Sequence, residues 1–239
     1  MREEEQVNGR TITLAGEACD ICLIQPLERR ELALLQNELD TINAAVEGKP
    51  YLFVGLMITD WNGELSPWEA APVFGNKAFA GNAKKTLDFI TEQLLPHIRE
   101  KYQLKDTTRF ILGGYSLAGL FSLWASTRTD LFTGIAAASP SVWFPKWDEY
   151  ATQHPTKAKN VYLSLGDAEP ITKNQVMAKS GSNIEHLHQL LQTQLGKENC
   201  ILEWNKGGHF QFPEIRTGKG FGKVMKGLVT QLYRPMRDS

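Results

Sequence analysis

Apolar positions along the chain fall into short continuous runs separated by stretches of helical period. The longest run, Tyr51-Leu-Phe-Val-Gly-Leu-Met-Ile58, shows no polar alternation, which predicts a strand over 51–58 buried on both faces. Shorter runs predict strands over 11–14, 20–24, 110–112, 134–139, 161–165 and 200–204. Leu32, Leu35, Leu39, Ile42 and Val46 form one stripe of a helix over 28–46, stopped by Gly48-Lys-Pro50. Leu87, Ile90, Leu94, Leu95 and Ile98 place a helix over 82–102, with Pro96 as a kink point. Further helices are expected over 183–195, ended by Gly196, and over 222–233. The segment 59–81 is rich in Gly, Pro and Trp and lacks periodicity; it reads as a long functional loop. Strands that alternate with helices imply an α/β fold, with a mostly parallel central sheet covered by helices on both faces. No repeat, low-complexity tract or linker interrupts the pattern, so 1–239 is expected to be a single domain.

Composition narrows the function classes. The chain has 239 residues, a formal net charge of −1, 42% hydrophobic and 22% charged residues, enough for one large α/β domain with a substantial core. There is no long basic run, so neither nucleic acid nor an anionic membrane surface is an expected partner. No apolar run approaches membrane-spanning length. The N-terminal Met-Arg-Glu-Glu-Glu lacks the apolar centre of a signal peptide, and a soluble, cytoplasmic protein is expected. Cys19 and Cys22 form a C-x-x-C without a second ligand pair. Packing, rather than zinc or redox chemistry, is the expected role.

The chemistry concentrates at Arg109-Phe-Ile-Leu-Gly-Gly-Tyr-Ser-Leu-Ala-Gly-Leu-Phe-Ser-Leu-Trp124. An apolar run ends in two glycines, Ser116 follows, and Leu117, Leu120, Phe121 and Trp124 recur at helical spacing. Strand, sharp turn and helix, with a serine on the turn, resemble the nucleophile elbow of α/β-hydrolases. Such a turn brings the residues two before and two after the serine close together. Gly114 and Ala118 are both small, although the commoner pattern has glycine at the second position.

A serine hydroxyl needs a base to take its proton, and in this fold serine, acid and histidine follow in that order from loops after strands. Of the five histidines, His97 precedes the serine, His154 lies in a polar loop, and His186 and His188 share a helix. His209, in Asn205-Lys-Gly-Gly-His-Phe210, follows the last strand and is the candidate base. The acid is expected in Ser164-Leu-Gly-Asp-Ala-Glu-Pro170. Glu169 is preferred, and Asp167 is the alternative. An oxyanion hole would take the backbone N–H of Leu117 and that of Asp60 or Trp61, after the 51–58 strand.

The segments Gly113-Gly-Tyr-Ser-Leu-Ala-Gly119, Ser164-Leu-Gly-Asp-Ala-Glu169 and Gly207-Gly-His-Phe210 resemble the putative-esterase family of α/β-hydrolases. So do the Trp61…Leu65-Ser-Pro-Trp68 loop and Ser139-Pro-Ser-Val-Trp143. That group includes esterase D, enterochelin esterases, feruloyl and acetylxylan esterases, and mycolyltransferases. The likeness runs from about Tyr51 to the C-terminus. It implies a serine esterase with Ser116 as nucleophile, His209 as base and an acid in the Asp167–Glu169 turn. The alternatives are an acyltransferase on the same residues and a non-catalytic binding protein on a hydrolase fold.

About 20 residues separate Ser139 from Val161, too few for a helical lid domain. An open cleft is therefore expected. Trp61, Trp68, Trp143, Phe144 and Trp147 fall in predicted loops. They suggest an aromatic rim for a bulky, aromatic or sugar-bearing ester, with Trp61, Trp68, Trp143 and Tyr115 as candidate substrate contacts. No metal-spaced ligand set, P-loop or dinucleotide motif is visible, and no metal or cofactor is predicted.

Overall fold

The computed structural model describes residues 2–73 and 75–232. A hairpin of β1 (Glu3–Val7) and β2 (Arg10–Gly16) leads into β3 (Ile21–Leu27). Helix α1 (Leu35–Val46) returns the chain to β4 (Leu52–Met57). The segment expected as a loop holds a short helix, α2 (Trp61–Leu65), and a small hairpin, β5 (Glu69–Ala70) and β6 (Phe79–Ala80). One long helical stretch follows, made of α3 (Ala83–Phe89), a π-helical turn (Ile90–Leu94) and α4 (Leu95–Lys101). Pro96 lies in the first turn of α4. Its ring would crowd the carbonyl one turn back, and the wider π turn before it relieves that clash.

The second half alternates more regularly. It runs β7 (Arg109–Tyr115), α5 (Leu117–Arg128), β8 (Phe132–Ala138), α6 (Trp147–Gln153) and β9 (Asn160–Gly166). It ends with α7 (Ser180–Leu195), β10 (Cys200–Asn205) and α8 (Pro213–Leu232). Helix α8 begins well before the expected start at 222, and Tyr233, its expected last residue, lies outside the described residues.

Among the described residues the main sheet has eight strands in the order β1-β2-β4-β3-β7-β8-β9-β10. Strands β4, β3, β7, β8, β9 and β10 are parallel, and β1 and β2 form an antiparallel edge. Alternation along β3 sorts the core into two layers. Cys22 and Ile24 pack with Leu87, Ile98, Leu120 and Ile184 from the helices of one face. Leu23 and Leu27 pack with Leu35 and Leu39 of α1 and Phe221 and Val224 of α8 on the other. The parallel order places the loops after β4, β7, β8, β9 and β10 at one edge of the sheet, where ligands bind in open α/β sheets. Between β8 and β9 stand only α6 and turns, and among the described residues no lid domain covers that edge. No helix among the described residues is long and apolar enough to cross a membrane. Cys19, Cys22 and Cys200 are free; burial pushes the Cys22 thiol well up and that of Cys200 to about 12, so these two behave as core residues.

Candidate active site

Ser116 joins β7 to α5 at φ 56°, ψ −119°, a backbone region that favours glycine and strains any other residue. The turn is fixed on all sides. Ser116 N–H donates to Ala138 O at 3.0 Å, and Ser116 O accepts from Leu120 N at 3.0 Å and Ser141 N at 3.1 Å. A Cβ at Gly114 would stand 2.6 Å from the Cβ of Ala118. The methyl group at 118 is therefore accommodated because 114 carries no side chain.

His209 projects from the loop after β10. Its Nε2 lies 3.0 Å from Ser116 Oγ, and its Nδ1 lies 2.7 Å from Glu169 Oε2. Ser141 Oγ, buried after β8, is a second neighbour of Ser116 Oγ at 3.3 Å. The two candidate acids separate by geometry. Asp167 Oδ1 accepts from Gly207 N at 2.7 Å, tying the acid turn to the histidine loop without touching the imidazole. The same two loops are joined by Asp167 N to Asn205 O at 2.8 Å and Ala168 N to Gly207 O at 3.1 Å.

Glu169 is nearly buried and saturated with donors. Oε1 accepts from Gly166 N at 2.8 Å, Ser139 Oγ at 2.8 Å and Arg216 Nη1 at 3.0 Å. Burial pushes this carboxyl up, but the hydrogen bond and charge of His209, with the Gly166 and Ser139 donors, outweigh it and hold the group below its usual range. Arg216, on the first turns of α8, is 2% exposed. It also donates to Tyr115 OH at 3.1 Å and Ser139 Oγ at 3.3 Å through Nη1, and to Lys206 O at 3.2 Å through Nη2. Arg216 carried no sequence signal, and Ser139, although it opens the Ser139-Pro-Ser-Val-Trp143 segment, was not expected to contact the acid. Ser139 stands at the expected strand end, but Arg216 lies in a stretch not expected to be helical.

Several expected contacts are placed differently. Tyr115 is buried, with its hydroxyl donating to His209 O at 2.6 Å. It braces the histidine loop rather than facing a substrate, and burial pushes its phenol up to about 12. Trp143 is 8% exposed, and Phe144 and Trp147 are buried. Trp143 and Phe144 pack on Phe79, at centroid distances of 6.3 and 5.0 Å. Trp68 packs on Phe144 at 5.6 Å and Tyr150 at 5.2 Å, and its Nε1 donates to Pro145 O at 2.9 Å. Trp143 and Trp68 therefore seal the β5–β6 hairpin onto the domain and do not form an aromatic rim. Burying these large rings favours packing over exposure. Trp61 remains half-buried at the start of α2. In the histidine loop Phe210 is 89% and Phe212 67% exposed, and the Phe210 ring stands edge-on to His209 at 5.3 Å.

The backbone donors also narrow. Asp60 N–H is committed to Glu64 Oε1 at 2.9 Å, a carboxylate that also takes Thr59 N and pairs with Arg10. Among the described residues, the N–H groups of Leu117 and Trp61, each opening a helix, have no acceptor. The other histidines lie apart from this site: His97 pairs with Glu5, His154 stacks on Tyr150, His186 meets Asp148, and His188 approaches Cys200 O.

The mostly parallel sheet covered by helices on both faces, with the strained serine turn between β7 and α5, defines an α/β-hydrolase fold. Residues 44–209, well over half of the chain, match the family described as "Putative esterase". The chain belongs to that family and is a carboxylic-ester hydrolase. A search of curated proteins finds no match. Among solved structures, an IroE-like serine hydrolase from Shewanella oneidensis superposes with a TM-score of 0.70 at 16% identity, over 95% of this chain and 80% of that one. The siderophore hydrolase EstA from Aspergillus nidulans superposes at 0.68 and 17% identity, over 98% and 94%. The enterobactin esterase FES from Shigella flexneri, in the presence of enterobactin, superposes at 0.70 and 18% identity, over 95% of this chain and 59% of that one. At these identities the likeness is one of fold.

Proposed function

We propose that Ser116, His209 and Glu169 act as a triad that hydrolyses a bulky or aromatic carboxylic ester through an acyl-enzyme. The observation that carries this reading is the unbroken hydrogen-bond chain from Ser116 Oγ through both imidazole nitrogens to Glu169. His209 Nε2 takes the Ser116 proton as Oγ bonds to the ester carbonyl carbon, and the carbonyl oxygen becomes an oxyanion. The N–H groups of Leu117 and Trp61 receive that charge. The carbon–oxygen bond to the alcohol breaks, and the imidazolium returns the proton to the leaving oxygen. Water then attacks the acyl carbon as His209 takes its proton, the bond from that carbon to Ser116 Oγ breaks, the imidazolium returns the proton to Oγ, and the carboxylic acid leaves. Glu169 holds the imidazole in the tautomer with Nδ1–H and stabilises the imidazolium.

The substrate class rests on two supports. Phe210 presents an exposed ring beside the imidazole, and Trp61 stands at the other backbone donor. Proteins of the same fold include siderophore hydrolases and an enterobactin esterase. The test is a panel of feruloyl, acetyl-xylan, thioester and catecholate-siderophore esters, with and without glycerol or sugar as acceptor. The free acid is expected as product, with the aryl esters preferred. Transfer to the acceptor in place of acid release would make the protein an acyltransferase.

A further inference from the structure

We infer that Arg216 is a positioning residue: its buried guanidinium fixes the Glu169 carboxylate and opposes proton uptake by the Glu169–His209 pair. The inference rests on the triad reading above. One guanidinium nitrogen reaches Glu169 Oε1 at 3.0 Å, Tyr115 OH at 3.1 Å and Ser139 Oγ at 3.3 Å, and the other reaches Lys206 O at 3.2 Å. Four chain segments that meet at the site are thus held by one cation: the end of β7, the turn after β8, the acid turn and the histidine loop. The Glu169 carboxylate is consequently shared, with Oε2 on the imidazole and Oε1 on the guanidinium. A planar fork suits this task, and an ammonium does not reproduce it.

The electrostatic consequence has a definite sign. A fixed positive charge at this distance disfavours an added proton on either member of the pair, wherever that proton resides. The other groups facing the pair do not supply such a charge. Tyr115 of β7 is held neutral by burial, with its phenol pushed up to about 12. Asp167 of the acid turn is negative and spends Oδ1 on Gly207 N. Lys206 of the histidine loop meets Arg216 through its carbonyl, and Lys219 of α8 pairs with Glu203 at 3.3 Å. Arg216 is the cation in contact with the carboxylate.

The test compares the pH dependence of ester hydrolysis in the wild type, Arg216→Lys and Arg216→Gln, with folding checked by circular dichroism. In Arg216→Gln the acid limb of kcat/KM is expected to move up by about one pH unit. In Arg216→Lys, which keeps charge but loses the fork, the limb stays in place, while kcat falls about tenfold with KM nearly unchanged. An acid limb unmoved in folded Arg216→Gln overturns the inference, as does an equal shift in both variants. Should Arg216→Gln fail to fold, Arg216→Lys decides alone, and wild-type kcat in it overturns the inference. A wild type without esterase activity, or activity that survives Ser116→Ala, would instead overturn the triad reading.

Discussion

Glu169 Oε2 lies 2.7 Å from His209 Nδ1, while Asp167, two residues earlier in the same turn, reaches the backbone of Gly207 instead. Two adjacent carboxylates thus have different tasks, and they can be separated by mutation. Glu169→Gln keeps the shape but presents an amide where the imidazole needs an acceptor that stabilises its cation. A loss in kcat of about 10³–10⁴ is expected. Asp167→Asn retains an oxygen for the Gly207 N–H, and its kcat is expected to stay within a few-fold of wild type. Steady-state kinetics on one activated ester reads both. A larger loss in Asp167→Asn than in Glu169→Gln would reverse the assignment.

The backbone of Ser116 predicts a conflict between stability and chemistry. Its φ of 56° and ψ of −119° favour glycine. Ser116→Gly relieves strain of roughly 1–3 kcal/mol, offset by up to about 1 kcal/mol of added chain entropy in the unfolded state. A net gain of about 1 kcal/mol is expected, which raises Tm by about 2–4 °C. Ser116→Ala keeps the strain and should melt close to wild type. Thermal melts that place the glycine variant below the alanine variant would contradict a strained elbow.

A buried carboxyl on α1 gives a pH-dependent prediction remote from the site. Burial, with nearby Glu31 and Glu214, raises the Glu38 carboxyl well above its usual range, although a long hydrogen bond from Gln25 works against this. The folded protein therefore keeps a proton that the unfolded chain releases near pH 4.3. Its stabilising contribution is complete below that pH and is lost as pH rises toward the raised folded value. Glu38→Gln removes the ionisation. The variant should match wild type near pH 4 and melt several degrees higher at pH 8. A Tm difference that does not change with pH would rule out this account.

Phe210 is expected to contribute to substrate choice. Phe210→Ala should lower kcat/KM for aryl esters about fivefold and leave short alkyl esters unchanged. An equal loss on both substrates would indicate support of the histidine loop rather than substrate contact.

Much of this arrangement was legible in the residues because the same physics governs both descriptions. The apolar runs that become β4, β7 and β9 can only be buried strands, and the order of Ser116, the acid turn and His209 follows from where a parallel sheet puts its loops. Edge strand β1 escaped because Glu3–Val7 is largely polar and gains its structure from pairing with β2. The first turns of α8 carry Gly218 and Gly220, residues of low helix propensity, and no helix is expected there from the sequence. The fold requires glycine along this helix for close approach: a Cβ at Gly222 would lie 2.4 Å from Ala45 Cβ, and one at Gly218 would lie 2.8 Å from Glu38 O. Arg216 disappeared with that stretch. The loop tryptophans misled in the opposite direction, because a ring placed in a loop by pattern can still be interior. Trp143 and Trp68 show this through their packing on Phe79, Phe144 and Tyr150.

The central claim is that Ser116 is a nucleophile activated by His209. Its most direct test is peptide mapping after treatment with a fluorophosphonate probe, on wild type, Ser116→Ala and His209→Ala. Rapid stoichiometric labelling of the peptide bearing Ser116 is expected in wild type, with none at that position in Ser116→Ala. In His209→Ala labelling should slow by a factor of about 10³ or more. Labelling at another residue, or a folded wild type that the probe leaves untouched, would contradict the account.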